Sequence, residues 1–264
     1  MPVHLLTEIN WLYALSGLLV GALVGLTGVG GGSLMTPLLV LLFGIHANTA
    51  VGTDLLYAAA TKTVGTAVHG ASKTVDWGIV GRLAAGSVPA TIATLVMLSQ
   101  FEKQLGAANH LITVVLGFAL IATAIAILFR RIIIEFFKRR SGADGPKHVT
   151  AFTVLLGAIL GVLVSLSSVG AGAIGVTVLL ILYPGLPAAR LVGSDIAHAV
   201  PLTLIAGLGH WLIGSVDLHL LASLLVGSVP GIIIGSLIAT RVPDRVLRPI
   251  LASTLALVGS KLAF

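Results

Sequence analysis

Long apolar runs dominate this chain, broken only by short polar intervals. They extend from about Trp11 to Gly44, Ala50 to Gly70, Gly78 to Leu98 and Ala107 to Phe129, then from about Thr150 to Tyr183, Leu191 to Ile213, Leu218 to Thr240 and Val246 to Ala263. A helix needs about 20 residues to cross about 30 Å of hydrocarbon, and most of these runs have that length. They do not alternate apolar and polar residues, and they contain Gly and Pro, so they predict helices rather than the strands of a barrel. The first run of each half is longer and is interrupted by glycine: Thr27-Gly28-Val29-Gly30-Gly31-Gly32-Ser33 in one, Ser167-Ser168-Val169-Gly170-Ala171-Gly172 in the other. Each reads as a helical hairpin or a broken helix that crosses twice, re-enters or crosses once.

The two halves repeat one pattern. Gly52, Thr53, Asp54, His69, Asp76 and Gly86-Ser87-Val88-Pro89 return 141 residues later as Gly193, Ser194, Asp195, His210, Asp217 and Gly227-Ser228-Val229-Pro230. Upstream, Gly17, Gly21 and Gly30 match Gly157, Gly161 and Gly170 at a shift of 140. In a membrane protein, a duplicated unit with polar residues at matched depth suggests a central transport site. The expected fold is all-α: a polytopic helical membrane protein of two repeats in inverted topology. Residues 1–130 form the first transmembrane repeat, 131–149 a basic cytoplasmic linker and 150–264 the second repeat.

Composition agrees. With 57% hydrophobic and 9% charged residues and a mean hydropathy of +1.11, the chain has too few charges to cover a water-facing surface. A formal charge of +6 would suggest nucleic acid in a soluble protein. Here most Lys and Arg lie between apolar runs, with no aromatic-studded basic groove, so they set topology and no nucleic-acid partner is expected. The absence of cysteine excludes disulfides, thiolate metal sites and cysteine nucleophiles. Met1 to Asn10 carries no Lys or Arg before a very long apolar run, which does not fit a cleaved signal peptide.

Arg130, Arg131, Lys138, Arg139, Arg140 and Lys147 place the central linker in the cytoplasm by the positive-inside rule. If each long segment crosses an even number of times, Lys73, Arg82, Arg190, Arg241, Arg245 and Arg248 join that side. Only Lys103 and Lys261 then lie outside. A single crossing of each long segment divides the charges more evenly. The sequence therefore favours an odd number of crossings per half, inverted halves and external termini in a cytoplasmic (inner) membrane.

The first glycine break with its following Pro37, Ala50-Val51-Gly52-Thr53-Asp54, Thr66-Ala67-Val68-His69-Gly70 and Val192-Gly193-Ser194-Asp195 together resemble the sulfite exporter TauE/SafE family, over essentially the whole chain. The resemblance implies a secondary transporter or permease of small sulfur-containing or carboxylated anions, such as sulfite, thiosulfate, sulfonates and sulfoacetate.

The glycine breaks are the first candidates for binding such an anion. A helix restarting inside the membrane aims free N–H groups and a partial positive charge at its surroundings. Glycine admits close approach to the main chain. Thr27, Gly28, Gly30, Gly31, Gly32, Ser33, Ser167, Ser168, Gly170 and Gly172 make up this candidate site. Tight packing through small residues is the competing explanation of the glycines.

Lys62 is the lysine inside an apolar run, where an ammonium costs about 3 kcal/mol unless paired or hydrated. It is expected to meet the anion, or to pair with Asp54 or Asp195. Its counterpart in the second repeat is Thr203, so any site is asymmetric. Asp54 and Asp195 stand near the starts of matched helices and read either as caps of free N–H groups or, with His198 one turn after Asp195, as proton-coupling groups. Asp76 and Asp217 read as N-caps. Pro89 and Pro230 interrupt matched helices and read as hinges or fixed bends, and His69 and His210 as interfacial hydrogen-bonding groups.

Three function classes follow. The first is a secondary transporter whose partners are a small anion, the lipid bilayer and protons as coupling ion, with a homo-oligomer compatible. The second is a cation or metal-ion transporter using Asp54, Asp195 and the histidines. An intramembrane enzyme fits least, because the spans lack a Cys nucleophile, an adjacent metal-binding histidine pair and a paired carboxylate site. No nucleotide-binding motif is present, and no cofactor is expected.

Overall fold

The structure is a computed structural model that describes residues 9–27, 32–71, 73–101, 105–141, 148–238 and 244–263. The described residues form the helices α1 (Trp11–Thr27), α2 (Gly32–Leu41), α3 (Ala47–Ala71), α4 (Trp77–Phe101), α5 (Leu105–Leu128), α6 (Arg130–Ser141), α7 (Val149–Ser167), α8 (Ala173–Leu182), α9 (Ala188–Leu212), α10 (Leu218–Ile238) and α11 (Asp244–Ala263). Five stretches among them are long and apolar enough to cross a membrane: Trp77–Gln100, His110–Leu128, Val149–Ser167, Ala188–Leu212 and Leu218–Gly235. This is the all-α, multi-pass membrane fold that the apolar pattern predicts. α3 falls outside that set although it has 25 residues, because Asp54, Lys62 and several threonines lower its hydropathy. Its Val51, Thr53, Asp54, Leu55 and Tyr57 are buried within the protein.

Glycine decides how the helices meet. Gly17 lies against the backbone of Leu224, Gly21 against Ser228 and Gly227 against Ala14, so α1 and α10 run parallel in close contact. The same arrangement recurs between α7 and α4, where Gly157 lies against Leu83, Gly161 against Ser87 and Gly86 against Val154. Small residues at such crossings let backbones approach in a solvent where lipid tails compete equally for apolar surface. The matched helices α3 and α9 pack on each other in opposite directions: Gly52 meets His210 and Ser215, Gly207 meets Leu56, and Gly65 meets Ile196. α5 and α11 are likewise antiparallel, with Gly117 against Ala263 and Gly259 against Ile121.

The hydrogen bonds repeat the exchange. The Asp76 N–H donates to Ser194 Oγ (2.8 Å), and the Asp217 N–H donates to Thr53 Oγ1 (3.1 Å). Each half thus binds the other through the same two positions.

The long first segments double back. Tyr13 at the start of α1 packs edge-on against Phe43 just beyond α2, with ring centroids 4.9 Å apart. In the second half, Thr153 of α7, the match of Tyr13, and Tyr183 just beyond α8 are hydrogen-bonded at 2.8 Å. α7 spans about 28 Å at 1.5 Å per residue, whereas α8 spans about 15 Å. Each segment is therefore a hairpin of unequal arms, not a helix that crosses once. Trp11, Trp77 and Trp211 lie exposed at helix ends, where an amphipathic ring suits a membrane–water interface.

Candidate functional site

The second glycine break is where the hairpin arms separate. α7 ends when Ser168 adopts the left-handed conformation (φ 57°), its N–H still donating to Val164 O. Gly170 and Gly172 follow at φ 121° and 120°, a region that L side chains rarely enter. In the first break, residues 28–31 lie outside the described residues, so the expectations for Gly28, Gly30 and Gly31 go no further. The same holds for the side chains of Thr27 and Ser33, and Gly32 is seen only as the first residue of α2.

Asp54 and Asp195 are not helix caps. Each is the eighth residue of its 25-residue helix, with 0% and 1% of its surface exposed. The free N–H groups of a helix are confined to its first turn, so capping is replaced by partners from other helices. Thr36 of α2 donates to Asp54 Oδ2 at 2.5 Å. The Ser168 hydroxyl lies beside the Asp54 carboxyl without a hydrogen-bond partner of its own, and Asp54 Oδ1 is also unpaired. Asp195 faces the other end of the break: the Gly172 N–H points toward it and Gly175 packs against Oδ1. Both Asp195 oxygens lack a hydrogen-bond partner among the described residues.

Thr177 matches Thr36 in the repeat but turns to its own helix, donating to Ala173 O (2.7 Å). Ser167 likewise spends its hydroxyl on Leu163 O (2.6 Å). Of the two serines at this break, Ser168 directs its hydroxyl toward the Asp54 carboxyl and not to its own helix.

Lys62 joins the two carboxylates. The α3–α9 contacts run from Gly52 against His210, through Leu56 against Gly207, to Gly65 against Ile196, so Lys62 stands within the stretch over which the two helices touch. Asp54 lies eight residues before Lys62 on α3, about 12 Å at 1.5 Å per residue, and Asp195 lies on the other side, next to the Ile196 that meets Gly65. The ammonium interacts electrostatically with both. The ion pairs present among the described residues are Arg131–Glu135 and Arg190–Asp76, so the expected direct pair with Asp54 or Asp195 is not formed. Lys62 is therefore a partly buried cation with a buried carboxylate on either side of it and a direct ion pair to neither.

Polar pairs surround this centre. His198 Nε2 is hydrogen-bonded to Ser87 Oγ (2.8 Å), and Tyr57 OH to Ser228 Oγ (2.7 Å). Tyr57 and His198 are matched positions, as are Ser228 and Ser87, so one pair is the image of the other. His210 donates from Nε2 to Ser165 O (2.9 Å) and is fully buried. It braces α9 against α7 within the protein rather than at a lipid surface. The side chain of His69 lies outside the described residues.

Thr36, Tyr57 and Ser87 stand beside the sequence candidates without being among them. Their signal in the sequence is the repeat: Ser87 and Ser228 sit inside the repeated Gly-Ser-Val-Pro, and Thr36 recurs as Thr177. Pro89 and Pro230 lie inside α4 and α10, each two residues beyond the serine that holds the site.

The end of the site nearest the central linker is fastened by charge. Arg190 Nη2 meets Asp76 Oδ2 at 3.2 Å, and Arg82 Nη1 donates to Tyr183 OH at 3.1 Å. Asp76 Oδ1 also accepts from the N–H groups of Gly78 and Ile79, as an N-cap should, and Asp217 Oδ1 accepts from Leu220 N–H.

Comparison with known proteins agrees with this architecture. The chain is 40% identical, over 249 residues, to the probable membrane transporter protein YjnA of Bacillus subtilis (strain 168), covering 94% of this chain and 97% of that one. A probable membrane transporter protein of Xylella fastidiosa (strain Temecula1 / ATCC 700964) is 30% identical over 118 residues, 43% of this chain and 42% of that one. No solved structure matches. Residues 13–262 match the family described as Sulfite exporter TauE/SafE, and the chain, a multi-pass membrane transporter, belongs to that family.

Proposed function

We propose that the protein is a secondary transporter of small sulfur-containing or organic anions, of the sulfite, thiosulfate, sulfonate or sulfoacetate class. The two repeats, 1–130 and 150–264, are inverted across the bilayer and joined by the basic linker 131–149. They carry the anion by alternating access, with protons as the coupling ion. The single observation that carries this reading is Lys62, a cation where the two central helices α3 and α9 pack together, standing off two buried carboxylates, with the Ser168 hydroxyl beside one and the Gly172 N–H beside the other.

An anion entering here gains the ammonium and the donors of the break. It also competes with Asp54 and Asp195 for them, and that competition is the physical basis for coupling. An anion displaces a carboxylate from its donor more cheaply when the carboxylate takes up a proton, since an uncompensated buried charge is costly. Asp54, Asp195 and His198 are the coupling groups in this scheme. Antiparallel packing of α3 on α9 and the reciprocal contacts of the halves support the inverted arrangement.

A cation reading draws support from the unpaired oxygens of Asp195. Lys62 opposes it, because a fixed cation beside the site repels a mobile one. The test is uptake and efflux of labelled sulfite, thiosulfate, sulfoacetate and short carboxylates in vesicles, with and without a pH gradient. Movement of one of these anions, accelerated by the gradient, is the expected result. If none moves and an uncharged solute or a metal ion does, the anion reading fails.

A further inference from the structure

α5, α6, α7 and α8 enclose a groove of about 540 Å³, lined by residues that include Ala122, Ile125, Ile133, Phe137, Phe152 and Val178. Its one hydroxyl-bearing lining residue, Thr177, is satisfied by Ala173 O of its own helix. The wall therefore offers nothing to water or a polar solute, and water at an apolar site without polar partners is not retained. Such a groove takes a hydrocarbon chain.

The helix that forms one side of it decides which kind. α6 reads Arg-Arg-Ile-Ile-Ile-Glu-Phe-Phe-Lys-Arg-Arg-Ser, with Arg130 and Arg131 in its first turn and Lys138, Arg139 and Arg140 near its end. Ile133 and Phe137, four apart and hence on one face, line the groove, while Ile132 and Phe136 are exposed beside them. An amphipathic helix carrying five basic residues and one acidic residue is the arrangement that holds anionic headgroups at a membrane surface.

We propose that this groove binds an anionic phospholipid, with one acyl chain against α5, α7 and α8 and the headgroup held by Arg130 and Arg131 in the first turn of α6. The chain would press on α8, whose Gly175 meets Asp195, so the lipid buttresses the short arm of the second hairpin. An α8 of only ten residues has little intrinsic stability of its own, which makes such support consequential.

The test is native mass spectrometry of the purified full-length protein with phosphatidylglycerol and phosphatidylcholine of identical acyl chains. Wild type is expected to retain phosphatidylglycerol in preference, by roughly fivefold for each arginine near the headgroup. The double variant Arg130→Gln/Arg131→Gln should lose the preference but still hold lipid, and Ala122→Trp should lose both lipids by filling the groove. Ile125→Trp serves the same purpose if Ala122→Trp does not fold, as judged by helical circular dichroism. Equal retention of the two lipids by wild type, or undiminished lipid on the folded tryptophan variant, would overturn the proposal. So would a dimer that the tryptophan variant dissociates, because a second copy of the chain would then be the occupant.

Discussion

Replacing Gly86 by alanine is the sharpest test of the packing on which the site rests. A Cβ there would collide with Val154 O and stand 2.7 Å from Ala158 N and 2.9 Å from Val154 C, where ordinary contact starts at 3.4 Å. All three are backbone atoms, so no side chain can rotate away and α4 and α7 must separate by about 0.7 Å or more. Overpacking of this kind costs about 1–3 kcal/mol. It is offset by up to about 1 kcal/mol from the better helix propensity of alanine. Gly81, on the same helix with nothing within 4 Å of its Cβ position, supplies the control, since Gly81→Ala receives the propensity gain alone. Gly227 meets Ala14 as Gly86 meets Val154, so Gly227→Ala should lose stability to a similar degree. The assay is thermal unfolding of the purified protein in one detergent, reading wild type and the three variants together. Lowered midpoints for Gly86→Ala and Gly227→Ala, with an equal or raised midpoint for Gly81→Ala, are expected. A neutral Gly86→Ala would refute the close crossing of α4 and α7.

Three further outcomes follow from particular contacts. Thr36→Val removes the hydroxyl that donates to the buried Asp54 and should cost about 1–3 kcal/mol in the same unfolding assay, whereas Thr177→Val, whose partner is its own helix, should cost less. Asp76→Ala loses both an N-cap and the bond to Arg190, and should be more damaging than Arg190→Ala, which removes only a half-exposed ion pair; the cap contributes about 1 kcal/mol and such pairs 0–1 kcal/mol. In the inverted arrangement, cysteines at Ser99 and at the highly exposed Leu212 should both label with an impermeant thiol reagent from outside, and one at Ala189 only after permeabilisation. Ser215, in the turn after α9, is 3% exposed and accepts a bond from Asn48, which makes it a poor probe.

Much of this fold was written in local pattern. Apolar runs of membrane-spanning length and a repeat spaced at 141 residues are properties of the chain itself, and the caps at Asp76 and Asp217 need only the first turn of the following helix. What could not be read locally was which polar groups meet. Asp54 looked like a cap because the apolar run before it begins near Ala50, yet α3 starts at Ala47 and the carboxyl sits beyond the reach of free N–H groups. Its partner Thr36 comes from another helix. The choice between hairpin and single crossing likewise depended on Tyr13 reaching Phe43 and Thr153 reaching Tyr183, contacts that no periodicity encodes. Lys62 stands out by charge alone, but its place where α3 packs on α9 follows from the glycines on both helices.

The account turns on Lys62 as the group that receives the anion, and flux of the transported anion in proteoliposomes carrying wild type, Lys62→Ala or Lys62→Arg measures this most directly. Removing one partner from a buried charge cluster costs about 2 kcal/mol or more, so Lys62→Ala should slow anion flux roughly 30-fold or more while the folded protein persists, and Lys62→Arg should retain part of it. Wild-type anion flux in Lys62→Ala, or cation transport that survives or improves in that variant, would contradict the central claim.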